Sequence, residues 1–373
     1  MNLLMVSGDA SPAQGRAGPF TAMLKEFAPY WSRVDVITPA APGAGEARLF
    51  GNVHFWPNRR GRIRQINHIL STGGRLTSER RYSLIASHDY GLFLNGFGSA
   101  ALSGRLAIPY VSEIHHVEGW PRAATRREAL QRRAAMGYLR WAGGRAAAFR
   151  VVNRVELPEL LARAGVPAAK VRVLYSLYLD FELFYPGTAE KEYDALFVGR
   201  LAPNKGLFVI LEALALARRH RPGLRVAILG EGRLKEQAQA KSRALGLADS
   251  IHLLDWLPDV KDVAGLYHRA RCLICASYSE GGPRVVAEAL ACGTPVLTTP
   301  VGVAREIVRE GENGYFFQWS AEELAGRLLQ LLADEALQKR LGAAGPEAVA
   351  RFDKATVVRE YALAYRELGG GAG

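Results

Sequence analysis

Cysteine is scarce, with three in 373 residues. That is too few for the disulfide framework of a small secreted domain, so the fold rests on its core, and a reducing compartment fits. No stretch approaches the ~18 uninterrupted apolar residues that a membrane span needs. Met1–Ala10 has no basic leader, and its short apolar run Leu3–Val6 reads as a first strand rather than a signal peptide. Low-complexity sequence is confined to the Gly369–Gly373 tail. Hydrophobic residues at 49% and charged residues at 23% exclude disordered and collagen-like chains. The length suggests two domains and allows a large buried core.

Charge is unevenly spread. Residues 1–180 carry 24 Lys and Arg against 12 Asp and Glu, whereas residues 181–373 carry 24 of each. The whole net charge of +12 therefore belongs to the first half. Such asymmetry fits an anionic partner, or an arginine-rich composition with no partner at all.

Short apolar runs alternate with helical patterns throughout. The runs are Leu3–Val6, Val34–Ile37, Val53–Trp56, Leu84–Ala86, Tyr110–Ile114 and Phe149–Val152, then Ala195–Val198, Arg225–Leu229, Ile251–Leu254, Cys272–Cys275 and Pro295–Thr298. Between them, Leu207–His220 and Ala321–Ala333 repeat apolar residues at i, i+3, i+4 and i+7. This alternation predicts an α/β protein with parallel sheets covered on both faces. The strands are too many for one open sheet, and Phe184-Tyr185-Pro186-Gly187 resembles a linker. Two doubly wound domains are expected, over 1–180 and 181–354, with a helix around 355–368 returning to the first. Ligands should bind beyond the carboxyl ends of the strands.

The chemistry concentrates in the second half. After the Cys272–Cys275 run come Glu280-Gly281-Gly282-Pro283-Arg284-Val285 and, further on, Glu288. The glycines free the backbone and Pro283 suits a first helical position. The Arg284 and Val285 amides would then open a helix N-terminus suited to an anion. The alternative is an ordinary loop-to-helix turn with Glu288 on a solvated face. Arg200 and Lys205, in Gly199-Arg200…Lys205-Gly206, leave a strand end near enough to converge on one diphosphate. Gly230-Glu231-Gly232 forms another tight turn, but Lys235 stands where a dinucleotide fingerprint needs its third glycine. Gly96-Phe97-Gly98 also lacks a strand directly before it, and Cys272 and Cys275 lie three apart on a strand, on opposite faces. Neither pattern is read as a site.

The set Gly199-Arg200, Lys205-Gly206, Gly230-Glu231-Gly232, Glu280-(seven residues)-Glu288 and Val301-Gly302…Arg305-Glu306…Gly314 resembles the retaining GT-B glycosyltransferases of family four. The resemblance is specific over residues 190–320 and looser before them. It implies two Rossmann-like domains facing a central cleft, the first on the acceptor side and the second holding a nucleotide-sugar donor. Arg200 and Lys205 then hold the donor diphosphate, Glu288 the ribose and Glu280 the donor sugar. Gly199, Gly230, Gly281, Gly282, Pro283, Arg284 and Val285 line the donor site, and Trp256 and Leu257 border the base. The glycine-rich loop after the first strand matches through Gly15, Arg16 and Gly18, with Gly18 nearest the donor and Gly15 and Arg16 toward the acceptor. His115, at the end of a later strand, would contact the transferring sugar, with His116 its competitor. Tyr175-Ser176-Leu177-Tyr178-Leu179-Asp180 departs from the family's usual Pro-Asn-Gly.

The implied reaction moves a hexosyl unit from a UDP- or GDP-sugar to an acceptor hydroxyl with retention of configuration. Asp-x-Asp, the metal-chelating motif of the other main glycosyltransferase fold, is absent. Neither metal nor cofactor is expected, with the diphosphate's charge carried by Arg200, Lys205 and helix amides. The expected location is cytoplasmic, peripheral on a membrane if the basic runs Asn58–Arg64 and Arg122–Arg133 meet anionic lipid. The acceptor would be a sugar, glycolipid or other hydroxyl compound. Two rival readings are a nucleotide-sugar epimerase on the same fold and a basic nucleic-acid- or membrane-binding protein. The basic runs lack the interleaved aromatics of a nucleic-acid surface, so no nucleic acid is expected.

Overall fold

The computed structural model describes residues 1–254, 257 and 259–370. The chain divides into two compact units: Met1–Val117 with Leu130–Ser176 and Lys354–Gly373, and Glu118–Ala129 with Leu177–Asp353. The crossover thus falls at Ser176–Leu177, four residues before the expected 180, and the segment Glu118–Ala129 groups with the second unit.

The first unit carries one eight-stranded sheet. Its strands are β1 (Asn2–Val6), β2 (Arg33–Thr38), β3 (Ala47–Leu49), β4 (Val53–Pro57), β5 (Leu84–His88), β6 (Tyr110–Ile114), β7 (Ala148–Val151) and β8 (Val171–Val173). They run in the order β3-β4-β2-β1-β5-β6-β7-β8, parallel except for β3 against β4. The helices between them are α1 (Pro19–Phe27), α2 (Gln65–Glu79), α3 (Leu94–Leu106), α4 (Arg126–Gly143) and α5 (Glu156–Arg163). The order reverses between β1 and β5, as in other doubly wound sheets. Buried on both faces, the central strands are nearly pure aliphatic runs, which is why their positions were readable. The edge strands β3 and β8 are only three residues long and half exposed, and escaped the sequence pattern.

The second unit holds a six-stranded parallel sheet of β9 (Ala195–Val198), β10 (Val226–Leu229), β11 (Ile251–Leu254), β12 (Leu273–Cys275), β13 (Val296–Thr298) and β14 (Gly314–Phe316). The order β11-β10-β9-β12-β13-β14 reverses between β9 and β12. Around it lie α6 (Leu207–His220), α7 (Lys235–Ala244), α8 (Val260–Arg269), α9 (Arg284–Ala291), α10 (Ala304–Ile307), α11 (Ala321–Ala333) and α12 (Glu335–Val349). Starts of these helices follow local chemistry. Asp259, Ser320 and Asp334 accept backbone N–H groups as caps of α8, α11 and α12.

The last helix, α13 (Lys354–Leu368), belongs to the first unit, where Val358, Tyr361, Ala362 and Tyr365 join Phe27, Val34 and Leu84 in one core. No described helix is long and apolar enough to cross a membrane.

Candidate active site

In the second unit the sequence motifs meet at the reversal of strand order. Arg200 follows β9, Gly230 follows β10, and Ser277–Glu280 follow β12, so all three loops leave the same rim. Backbone packing accounts for the glycines. A Cβ on Gly230, at φ +156°, would stand 1.9 Å from the carbonyl oxygen of Gly199. One on Gly302, at φ +51°, would meet the carbonyl oxygens of Gly281 and Glu280 at 2.4 and 2.5 Å.

Lys205 and Glu280 form an ion pair through Nζ and Oε1, each side chain 17% exposed. Ser277 Oγ donates to the same oxygen at 3.1 Å. The loop that carries Glu280 is tied on several sides. Tyr278 N donates to Asn204 O at 2.7 Å. The Ser277 carbonyl accepts from Trp319 Nε1 at 2.9 Å and from Thr299 Oγ1 at 2.6 Å. Arg200 is exposed, and its guanidinium has no partner among the described residues.

Helix α9 begins one residue later than expected: Pro283 is its cap, and Arg284 is the first helical residue. Val286 N turns back to Pro283 O at 3.0 Å, and no described group accepts from the Arg284 and Val285 amides. Such amides favour a negative group by roughly 0.3–1 kcal/mol when exposed. The Arg284 side chain turns away to donate to Tyr178 O at 3.0 Å, with its guanidinium 4.7 Å from the Tyr178 ring centre.

Glu288 does not lie on a solvated face; it is 8% exposed. Its Oε2 accepts from the Tyr267 hydroxyl at 2.8 Å. Burial raises its pKa against the pull of Arg284 and that hydrogen bond. Leu257 is half-buried, and Trp256 lies outside the described residues.

A separate cluster occupies the first unit. His88 ends β5 and His115 follows β6, its neighbour, so the imidazoles stack with centres 4.3 Å apart. Burial and His115 push the pKa of His88 down to about 3. Burial also lowers His115, aided by Arg150 and opposed by Glu113, so both rings are neutral. Arg150 Nη1 lies 3.4 Å from His115 Nε2. Glu113 Oε2 lies 3.6 Å from the same nitrogen, so Nε2 sits between a donor and an acceptor. His116, the competitor, is exposed.

Below His115 lies an ion pair that sequence reading missed. Glu113 and Arg150 face each other across β6 and β7, at 3.3 Å between Oε1 and Nη1. Arg150 also donates to the carbonyls of Leu174 and Tyr175. Tyr361 and Tyr365 of α13 both donate to Glu113 Oε1, at 2.7 and 2.5 Å. Burial opposes ionisation of Glu113, but Arg150, His115 and the tyrosines hold its pKa well below the usual range. The available signal was a charged residue inside each of two strands, Glu113 in β6 and Arg150 in β7.

Gly15, Arg16 and Gly18 lie between β1 and α1. Gly15 is left-handed at φ +72°, Arg16 pairs with the Gln14 side chain, and Gly18 caps α1 in extended conformation. Arg122 precedes α4 rather than lying on it, and sits over the rings of Trp319 and Tyr278 at 5.1 and 5.8 Å.

The patterns set aside have packing explanations. Cys272 shares a core face with Ile274 and Ala276, while Cys275 points to the other side. No cluster of metal-ligating side chains occurs among the described residues. Gly96 makes room for Asp89 and Tyr138: a Cβ there would stand 1.9 Å from the Tyr138 hydroxyl oxygen. Asp89 is buried and accepts from Ser87, Ser112 and Tyr138, and burial raises its pKa to about 7.

Comparison with known proteins bears on the family and the fold. Residues 181–348 match the family described as Glycosyl transferases group 1, and residues 26–176 match Glycosyltransferase Family 4. The D-inositol 3-phosphate glycosyltransferase of Segniliparus rotundus is 29% identical over 312 residues, 78% of this chain and 68% of that protein. A phosphatidyl-myo-inositol mannosyltransferase of Mycobacterium leprae is 33% identical over 175 residues, 46% of this chain and 45% of that one. Sucrose-phosphate synthase from Thermosynechococcus elongatus superposes with a TM-score of 0.81 at 20% identity, covering 100% of both chains. With each half of the chain matching its own part of one enzyme family, and two parallel-sheet domains of the corresponding fold, the protein belongs to the family-4 glycosyltransferases of the GT-B fold.

Proposed function

We propose that the protein transfers a hexosyl unit from a UDP- or GDP-sugar to an acceptor hydroxyl, with retention of configuration and without a metal. The convergence of Arg200, the Lys205–Glu280 pair, the open amides of α9 and buried Glu288 on one strand rim carries this reading. Glu288 Oε1 takes no partner among the described residues and accepts from the ribose. Arg200, Lys205 and the amides of Arg284 and Val285 bind the diphosphate and carry the charge that grows on it. Glu280, turned by Lys205 and Ser277, accepts from hydroxyls of the donor sugar. Neutral His115 hydrogen-bonds the transferring sugar.

In the step itself the bond from the anomeric carbon to the diphosphate oxygen breaks. The acceptor oxygen bonds that carbon on the same face, and its proton passes to the departing phosphate oxygen. The relatives' names point to phosphate-bearing inositol acceptors, a class this chain would share.

The test is a melting-temperature and calorimetry panel of UDP, GDP, ADP and their sugars, with and without magnesium. A ligand that binds only the folded state must raise the melting temperature with concentration. Stabilisation by one nucleotide, unchanged by magnesium and lost in Glu288→Ala, is expected. No response to any nucleotide overturns the donor site, and a response only with magnesium overturns the metal-free part.

A further inference from the structure

A second basic feature lies elsewhere in the first unit. A cavity of about 590 Å³ runs along α2 beside β4, lined by Trp56, Arg59, Arg60, Arg64, His68 and Arg75. Positions 64, 68, 71 and 75 recur at helical spacing, so one face of α2 forms a wall of the groove. Only one carboxylate, Glu46, lines it, and that lies 3.9 Å from Arg59. The guanidinium groups of Arg60 and Arg64 have no partner among the described residues. Strand β4 is separated from β6 by β2, β1 and β5, which places the groove roughly 19 Å across the sheet from His115 at ~4.8 Å per strand.

Three buried amides hold this basic turn in place. Asn58, Gln65 and Asn95 are 3%, 2% and 5% exposed. Asn58 Nδ2 donates to Gly61 O at 2.9 Å and to Gln65 Oε1 at 3.0 Å, and Asn58 Oδ1 accepts from Arg60 N at 2.8 Å. Gln65 Nε2 continues the chain to Asn95 Oδ1 at 3.1 Å, and Asn95 donates to His88 O at 3.0 Å. Farther along α2, Arg75 is seated 4.6 Å from the Trp56 ring centre. Buried polar groups are costly unless bonded, and these bonds fix the backbone that carries the arginines. A preordered set of guanidinium forks loses less entropy on binding than a loose basic tail does.

We infer that this groove is a binding site for a phosphate-bearing group with at least two negative charges, built from residues of the first unit alone. Arg60 and Arg64 form bidentate contacts with its oxygens, which planar guanidinium supports and a point-charge ammonium does not. Arg59, near Glu46, and Arg75, paired with Glu79 at 3.1 Å, flank them. Arg75 already covers one face of the Trp56 ring, which disfavours a base stacked there. The inference stands whether or not the donor reading does, because it uses none of the second unit's residues.

The shared chemistry has two sources, a soluble phosphate compound or a lipid headgroup, and two probes separate them. The full chain carrying Arg200→Ala, which removes a cation of the proposed donor site, is titrated with inorganic pyrophosphate by calorimetry. The same chain is floated with phosphatidylcholine vesicles made with and without phosphatidylglycerol. Binding of at least one probe is expected, weakened about ten-fold or more by Arg60→Gln with Arg64→Gln, which is ~1.4 kcal/mol. Arg60→Lys with Arg64→Lys should restore only part of it. Both arginines are exposed, so an unchanged melting temperature in the variants confirms that folding is intact. If neither probe binds, or if both bind the glutamine variant as well as the parent, the groove is not the site.

Discussion

The hydroxyl of Tyr365 donates to Oε1 of Glu113 at 2.5 Å across 252 residues of sequence. That bond ties the final helix to the carboxylate next to His115, and it shares the oxygen with Tyr361 and Arg150. Tyr365→Phe removes one donor from a buried charge and leaves the ring's packing. A hydrogen bond to a charged group contributes ~1.5–3 kcal/mol, so a loss of that order is expected in urea unfolding. An unchanged midpoint would mean that Tyr361 and Arg150 alone satisfy Glu113.

Stability should respond to acid in a defined order. Unfolded, His88 takes up a proton near 6.5, whereas the folded chain resists until about pH 3. A base whose folded pKa is depressed contributes fully above its unfolded value, and that contribution declines as pH falls from 6.5 toward 3. Glu113, an acid with a depressed pKa, adds a second decline once pH drops below about 4.5. Asp89, its folded pKa raised to about 7, takes up its proton earlier when folded and so offsets His88 over much of its range. Denaturation midpoints of the parent should therefore change little between pH 6.5 and 4.5 and drop below 4.5, whereas in His88→Gln they should rise as pH falls from 7 toward 4.5.

Glu288 shows the opposite sign. Burial raises its pKa, so at neutral pH its charged form is a cost to the free protein. Glu288→Gln should raise the melting temperature of the ligand-free chain while weakening nucleoside diphosphate binding about ten-fold or more. A variant that is both less stable and an equally good binder would contradict the assignment.

Glu280 and Lys205 neutralise one another in the free protein. Glu280→Ala releases Lys205, so free nucleoside diphosphate should bind at least as tightly as before. Transfer should nevertheless fall about 100-fold, because the sugar loses its anchor in the transition state. Transfer within a few-fold of the parent would remove Glu280 from the reaction.

Two glycines that look alike in sequence should respond differently to alanine. Gly230→Ala drives a methyl into the Gly199 carbonyl, and a loss above ~3 kcal/mol is expected. Gly18 has open space around its Cβ position and extended backbone at φ −178°, so Gly18→Ala should fold as the parent does. Chemical denaturation of the two variants checks both expectations.

Local chemistry decided much of this protein. Leu3–Val6 and Ala195–Val198 are strands because a sheet covered on both faces needs unbroken apolar runs. Gly199 and Gly230 were readable as turn residues after apolar runs, whereas Glu280 and Glu288 were given their roles through the family resemblance. Other features depended on contacts that span the sequence. Glu113 meets Arg150 only through the pairing of β6 with β7, and meets Tyr365 only because α13 returns to the first unit. The Lys205–Glu280 pair and the buried state of Glu288 likewise needed strands and helices brought together from distant positions. Sequence determined the elements and the residue types at their ends; folding decided which charges are paired, which are neutral, and which are left open to a ligand. Periodicity records only neighbours along the chain, whereas burial and pairing are properties of the assembled structure.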